Sequence, residues 1–559
     1  MQNPLSVVWP PDFQLHAGAL YPWVAAGVLS TVFLHKKVIR GDVALVLESS
    51  LFLAVFAAYT TTLGIDASTS LRLSALAVVY HISTIVLTTV SYRLSPFHPL
   101  WSFPGPLINK ATSFVIMYIV WSGKRHLYID ALHKKYGKFV RTGPNTLTID
   151  SHEAISPIYA SAGALDKSDA YKIPGKEEGS GLFFIQSKEE HNVRRRLWAP
   201  AFTPQSLERY KPVIEKRTFE LKTCINSRRD KNDVVNLGEA IQHWSYDVMG
   251  DLTFGGSHGL ELMQDGDPEE LVESGQEATV LFESLGEVPS LFDILTYFPV
   301  LGKIRKLEKA AEKLLILREK DSSASSNDLV SHLLGHHSSV PKPSFVDRRV
   351  DALFAIQAGS DTTSGVLIYM FYLLISNKHA YHRLREELDA NFSDPDEHIS
   401  NAALAALPYL NAVVYESLRL GTPLPGLPRV TPKGGMMIEG TYIPEGMVVG
   451  VNPYVQETSE ENFYPDPMAY KPERWLPEGL GPGTITRKTA IMSFSYGAFG
   501  CLGRALAIQE LQIVAARMIL AYDLSFAPTF DSNKFMDGVE NMRATIFRYP
   551  LTVVATPRK

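Results

Sequence analysis

Residues 494–507 read Phe-Ser-Tyr-Gly-Ala-Phe-Gly-Cys-Leu-Gly-Arg-Ala-Leu-Ala, a glycine-rich turn that leads into an apolar-periodic helix running to about Tyr522. Glycines at 497, 500 and 503 free the backbone for a tight loop and a close approach. Amide N–H groups near a helix start lower a thiol's pKa toward thiolate, and a thiolate seeks a metal or an electrophile. Cys501 is therefore a candidate ligand, with a buried structural cysteine as the competing reading of this turn by itself. The only other cysteine in the 559 residues is Cys224, too few for a disulfide framework and in keeping with a reducing compartment.

Composition bounds the alternatives. Hydrophobic residues make up 45% and charged residues 20%, so the chain buries a real core and is not largely disordered. A formal net charge of -5 supplies no global basic field, which excludes nucleic acid as a partner. Beyond residue 111 long helical patterns prevail, with short strand-like runs near 139–149, 436–443 and 447–452. The fold class expected is mainly α with a small β portion. Stretches 318–347 and 391–400, rich in Ser, Asp, Pro and His, read as exposed loops. His336-His337 inside the first lacks partner ligands at helical spacing and reads as solvated loop, not as a metal site.

Moving outward from the turn, Glu416-Ser-Leu-Arg419 lies in the helical run 410–420, where residues three apart share a face and can ion-pair. Pro472-Glu473-Arg474-Trp475 follows at a set interval before the cysteine. Ala358-Gly-Ser-Asp361-Thr362-Thr363 is a polar interruption in an apolar helix starting near Val350; buried polar groups are costly unless they pair or serve a purpose. Ser and Thr can bond back to the preceding turn, which is the plain account of it. In His191-Asn-Val-Arg194-Arg195-Arg196, His191 and Arg195 stand one helical turn apart.

In order and spacing these segments resemble the cytochrome P450 superfamily, over roughly residues 100–559. The loop is similar to Phe-x-x-Gly-x-Arg-x-Cys-x-Gly, with Phe494, Gly497, Cys501 and Gly503 in place. The resemblance implies haem b as cofactor with Cys501 as axial iron ligand. It implies Glu416, Arg419 and Arg474 as a buried cluster supporting the haem loop, and Asp361 and Thr362 as the acid and alcohol of proton delivery. His191 and Arg195 are expected on the haem propionates. Phe499 departs from the pattern, since the family usually has a basic residue there that helps hold a propionate. Arg429, in Leu427-Pro428-Arg429-Val430, matches a further propionate contact and is expected to offset that loss.

The activity implied is that of a monooxygenase oxidising an apolar small molecule with dioxygen and two electrons, for example a terpenoid of secondary metabolism. A Gly-x-Gly-x-x-Gly strand-to-helix turn and a flavin domain are not found in the sequence, so electrons are expected from an NADPH-cytochrome P450 reductase, with cytochrome b5 as an optional donor. Pocket walls are expected from 101–125, 165–186, 280–300, 424–427 and 536–546. Two alternatives stand beside this reading: a reductase-independent haem-thiolate isomerase or dehydratase, and a non-enzymatic membrane receptor.

Residues 1–94 read as a membrane region with up to three transmembrane helices, about 17–34, 43–65 and 73–90, followed by a proline-rich hinge at 95–110 and the haem-binding catalytic domain at 111–559. Glu48, near the start of the second stretch, is placed to reach the lipid interface, and His81 in the third reads as a helix-packing residue. Lys36, Lys37 and Arg40 mark the first loop as cytoplasmic by the positive-inside rule. The location implied is the endoplasmic reticulum membrane, lipid around the anchor and the catalytic domain facing the cytoplasm.

Overall fold

A computed structural model describes residues 11–35, 37–160, 165–173, 181–255, 259–321, 328–334, 341–394, 397–424, 426–540 and 546–558. Three helices open the chain: α1 (Pro11–Leu34), α2 (Gly41–Ala57) and α3 (Ala67–Leu94). Asp66 starts the third by accepting from the backbone N–H groups of Ser68 and Thr69. The stretches Gly41–Thr62 and Ala67–Leu94 are long and apolar enough to cross a membrane, while the apolar part of α1, Tyr21–Leu34, is shorter. Leu29, Phe33, Leu53 and Leu87 point outward from this group. Its inside is polar at one level: His81 Nε2 lies 3.0 Å from Ser30 Oγ, and His81 Nδ1 lies 3.1 Å from Glu48. Glu48 thus turns inward to a partner instead of reaching for an interface, since an unpaired carboxylate among apolar helices is costly.

After α3 the chain enters proline-fixed turns that bury His98, Leu100 and Phe103. Leu100 and Phe103 pack with Leu147, Ile149 and Val449 against the main sheet. That sheet joins β1 (Phe139–Arg141), β2 (Thr146–Ile149), β3 (Arg429–Val430) and β4 (Val448–Val451) in the order β1-β2-β4-β3. The β1/β2 and β3/β4 pairs are antiparallel and β2/β4 is parallel. Val140, Leu147, Ile149, Val449 and Val451 are buried, the alternating pattern of strands packed on one face.

Helices carry the rest. They include α4 (Lys188–Trp198), α5 (Leu237–Phe254), α6 (Leu271–Gly286), α7 (Pro289–Leu295), α8 (Phe345–Ser376), α9 (Pro408–Leu420) and α10 (Arg504–Ala521). The 32-residue α8 runs through the body, and its residues Val366–Ile375 are buried throughout. With Trp244, Leu410, Val514 and neighbours they form the main core, which fixes α5, α9 and α10 around α8. Helix α8 starts at Phe345, earlier than the apolar pattern indicates, because Ser344 caps it by accepting from the Asp347 N–H. Within 318–347, read above as loop, Leu329–Leu333 forms a buried helical turn capped by Asp328. His336 and His337 lie outside the described residues.

Candidate active site

The loop before α10 owes its shape to one glycine. Gly497 has φ +65°, and a Cβ there would stand 2.2 Å from the Tyr159 carbonyl oxygen. Gly500 and Gly503 have φ -62° and -78°, which any residue adopts, so the expected backbone freedom is needed only at 497. The Cys501 N–H donates to the Phe494 carbonyl at 2.8 Å, closing the turn. Burial pushes the Cys501 thiol up, while the N–H groups of Gly503 and Arg504 and the charges of Arg195 and Arg504 pull it back toward thiolate. The cysteine nonetheless has exposed surface.

A buried ion cluster supports this loop from behind. Arg419 Nε and Nη2 donate to Glu416 at 2.8 and 2.7 Å, both side chains being 0% exposed. Glu416 also accepts from the Trp475 indole at 2.9 Å and the Lys471 N–H at 3.0 Å, with Arg474 Nε at 3.5 Å. The cluster reaches the loop through Glu457: Arg419 Nη1 donates to its carbonyl oxygen at 2.7 Å, and its carboxylate accepts the Met492 N–H at 2.8 Å. Two residues on, Phe494 packs against the main core with the Arg504 guanidinium 5.7 Å from its ring.

On the other side of the loop, basic side chains converge on the Phe499 ring. Lys167 Nζ lies 4.7 Å from its centroid, the Arg429 guanidinium carbon 4.9 Å, and the His191 ring 4.6 Å. Arg195, one turn after His191 on α4, donates to the Gly500 carbonyl at 2.6 Å. Burial and the neighbouring charges push Lys167 well down, and they lower His191 to about 3. Among the described residues none of these four forms an ion pair, and His191 Nδ1 and Arg429 Nε have no hydrogen-bond partner. The sequence reading missed Lys167: it sits in Leu165-Asp-Lys167-Ser with no spacing that singles it out, and only the fold carries it to the loop.

Asp361 and Thr362 face different neighbours on α8. Thr362 Oγ1 donates back to the Ala358 carbonyl at 2.6 Å. Asp361 is buried, accepts from the Tyr246 hydroxyl of α5 at 2.9 Å, and has its second oxygen unpartnered. The nearby Gln357 amide is spent on Gly275 O and Thr279 Oγ1. Burial lifts Asp361 to about 7, so it carries a proton part of the time near neutrality. Thr363 donates to Glu510 of α10 at 3.2 Å, and burial lifts that carboxyl to about 8. Of the expected walls, 165–186 and 280–300 meet: Phe183 stacks on Phe354 of α8 at 4.3 Å, Phe184 lies 5.7 Å from Phe354 and 5.1 Å from Phe282. Segments 101–125 and 536–546 touch at Gly123 and Glu540.

The donor set fits haem. Lys167 and Arg429, buried without counter-charges, are destabilising as cations unless an anion meets them, and a porphyrin with two carboxylates next to a single thiolate would satisfy them, Arg195, the His191 ring and the sulfur together. Among the described residues there is no group of three or more His, Cys, Asp or Glu able to hold a bare metal ion.

Comparison with known proteins agrees. The cytochrome P450 family profile matches residues 104–545. The cytochrome P450 monooxygenase BipB of Cochliobolus sativus is 32% identical, over 77% of this chain and 86% of its own. The cytochrome P450 monooxygenase sthD of Phaeosphaeria nodorum is 31% identical, over 81% and 94%. The cytochrome P450 monooxygenase notG' of Aspergillus versicolor is 31% identical, over 80% and 81%. A non-enzymatic receptor would share none of this. The chain belongs to the cytochrome P450 family and is a haem-thiolate monooxygenase.

Proposed function

We propose that this protein hydroxylates or otherwise oxidises an apolar secondary metabolite such as a terpenoid, drawing two electrons from an NADPH-cytochrome P450 reductase, with cytochrome b5 as an optional donor. Residues 1–94 are the anchor, 95–110 the connector and 111–559 the catalytic body, facing the cytoplasm from the endoplasmic reticulum membrane. The exposed leucines and phenylalanine of α1 to α3 and the fungal sources of the relatives support this assignment.

Haem b, when bound, supplies activation of dioxygen. Cys501 would hold the iron; burial raises its thiol, and the Gly503 and Arg504 N–H groups oppose that rise and favour the thiolate. His191, Arg195, Arg429 and Lys167 hold the carboxylates, with Arg429 and Lys167 making good the basic group missing at 499. Phe494, Gly497 and Gly503 shape the loop, and Glu416, Arg419 and Arg474 brace it. Asp361, poised near pH 7, delivers protons, and the Thr362 hydroxyl positions the group that receives them. Phe183, Phe184, Phe282 and Phe354 exclude water and bind the apolar substrate.

The single observation that carries the reading is the cluster of Lys167, His191, Arg195 and Arg429 beside the Cys501 loop. The test is full-length protein in yeast microsomes with reductase and a panel of terpenoid, fatty and aromatic compounds under labelled dioxygen. One labelled oxygen per product, with NADPH consumed, is expected. Product formed without NADPH or reductase would replace this reading with an isomerase or dehydratase.

A further inference from the structure

The corner where α2 begins sits on the catalytic body. The Gly41 N–H donates to Asp293 of α7 at 3.1 Å, and the Tyr297 hydroxyl just after α7 donates to Asp42 at 3.0 Å. Arg40 ion-pairs with Asp42 at 2.8 Å and holds that carboxylate in place. The approach leaves no room: a Cβ on Gly41 would stand 1.7 Å from the Ser290 carbonyl oxygen. Glycine at this corner is therefore a packing requirement between two segments about 250 residues apart in sequence. On its inner side α7 carries Phe292, buried and 6.1 Å from Phe282. Phe282 continues to Phe184 at 5.1 Å, and Phe184 to Phe354 on α8 at 5.7 Å.

We infer that the anchor corner Arg40-Gly41-Asp42 is a specificity-determining part of the site. It clasps α7, and through the row Phe292–Phe282–Phe184–Phe354 it limits how far the aromatic wall over α8 can yield to a bulky apolar guest. Packed aromatic rings move together or not at all, so fixing α7 at its outer end fixes the wall. A guest small enough to leave the row in place is unaffected; one that must push Phe184 or Phe282 aside has to displace α7 against the clasp. The inference rests on the proposal that this space takes the substrate.

The test uses the full chain, haem-loaded, in lipid nanodiscs. Gly41→Val forces the corner off α7, and Tyr297→Phe removes one bond at an independent point. Two readouts are taken: hydrogen exchange of residues 289–298, and the dissociation rates of 4-phenylimidazole and of imidazole. Loss of the two bonds is expected to raise exchange of 289–298 by roughly tenfold in Gly41→Val and less in Tyr297→Phe. The 4-phenylimidazole rate rises several-fold in both, and the imidazole rate and the reduced carbon-monoxide spectrum stay as in wild type. Unchanged exchange in both variants refutes the clasp; faster exchange with an unchanged 4-phenylimidazole rate refutes its control of the wall. Wild-type protein that binds neither azole refutes the underlying site reading instead.

Discussion

Replacing Glu416 with alanine is the sharpest test of how the loop is supported. The carboxylate is fully buried and accepts two bonds from Arg419, one from the Trp475 indole and one from the Lys471 N–H. Arg419 keeps the carbonyl oxygens of Glu457 and Pro467 as acceptors but loses its ion-pair partner, as does Arg474. Breaking a buried pair by removing one partner costs about 3–5 kcal/mol, and each stranded buried N–H adds about 1–3 kcal/mol, the terms being less than additive. A loss of about 4–6 kcal/mol is expected, a large share of the roughly 5–15 kcal/mol by which a protein is stable. Glu416→Gln keeps the shape and one acceptor and is expected to lose about half as much. Lys134→Ala, which removes an exposed pair with Asp130, is expected to change stability by less than about 0.5 kcal/mol. Urea unfolding followed by the haem band, with haem per polypeptide, reads all three. Glu416→Ala unfolding within about 1 kcal/mol of wild type, with full haem content, would refute the bracing argument.

Removing the cations at Phe499 tests the carboxylate cluster: Arg429→Ala and Lys167→Ala each speed haem transfer to apomyoglobin, and Phe499→Arg restores retention in the Lys167→Ala protein. No rescue would mean that Lys167 acts on something other than the charge missing at 499. Asp361 gives a pH signature. Its folded value near 7 lies above its ordinary 3.8, so the folded chain holds that proton more tightly than the unfolded one. The stability it contributes is whole below about pH 4 and is lost as pH rises to about 7. Asp361→Asn therefore gains in unfolding free energy relative to wild type across that window, by at most about 4 kcal/mol, and levels off above it; a pH-independent difference would count against burial as the cause. Thr362→Ala is expected to keep the carbon-monoxide band while a larger share of NADPH is consumed without product; unchanged coupling removes Thr362 from proton delivery.

The fold class was legible because it rests on local signals: helical periodicity in 410–420 and after Gly503, short apolar runs at 139–149 and 436–452, and three apolar stretches near the start, of which two form helices long and apolar enough to cross a membrane. The Cys501 turn was legible for the same reason, since thiol, glycines and following helix are contiguous. What could not be read are contacts made by distant segments. Lys167 lies more than three hundred residues from the ring it faces, and Tyr246 meets Asp361 only because α5 packs against α8. The turn at Leu329–Leu333 was hidden by its polar flanks, though Asp328 before an apolar pair is a cap signal. Glu48 was misread toward the interface because its partners, His81 and through it Ser30, come from other helices.

The central claim is that the Cys501 sulfur ligates haem iron. The direct measurement is the reduced, carbon-monoxide-treated absorption spectrum of full-length wild type beside Cys501→Ala. A red-shifted Soret band of thiolate ligation is expected in wild type and not in Cys501→Ala. A folded, haem-containing wild type without that band, or a Cys501→Ala protein that keeps it, would contradict the account.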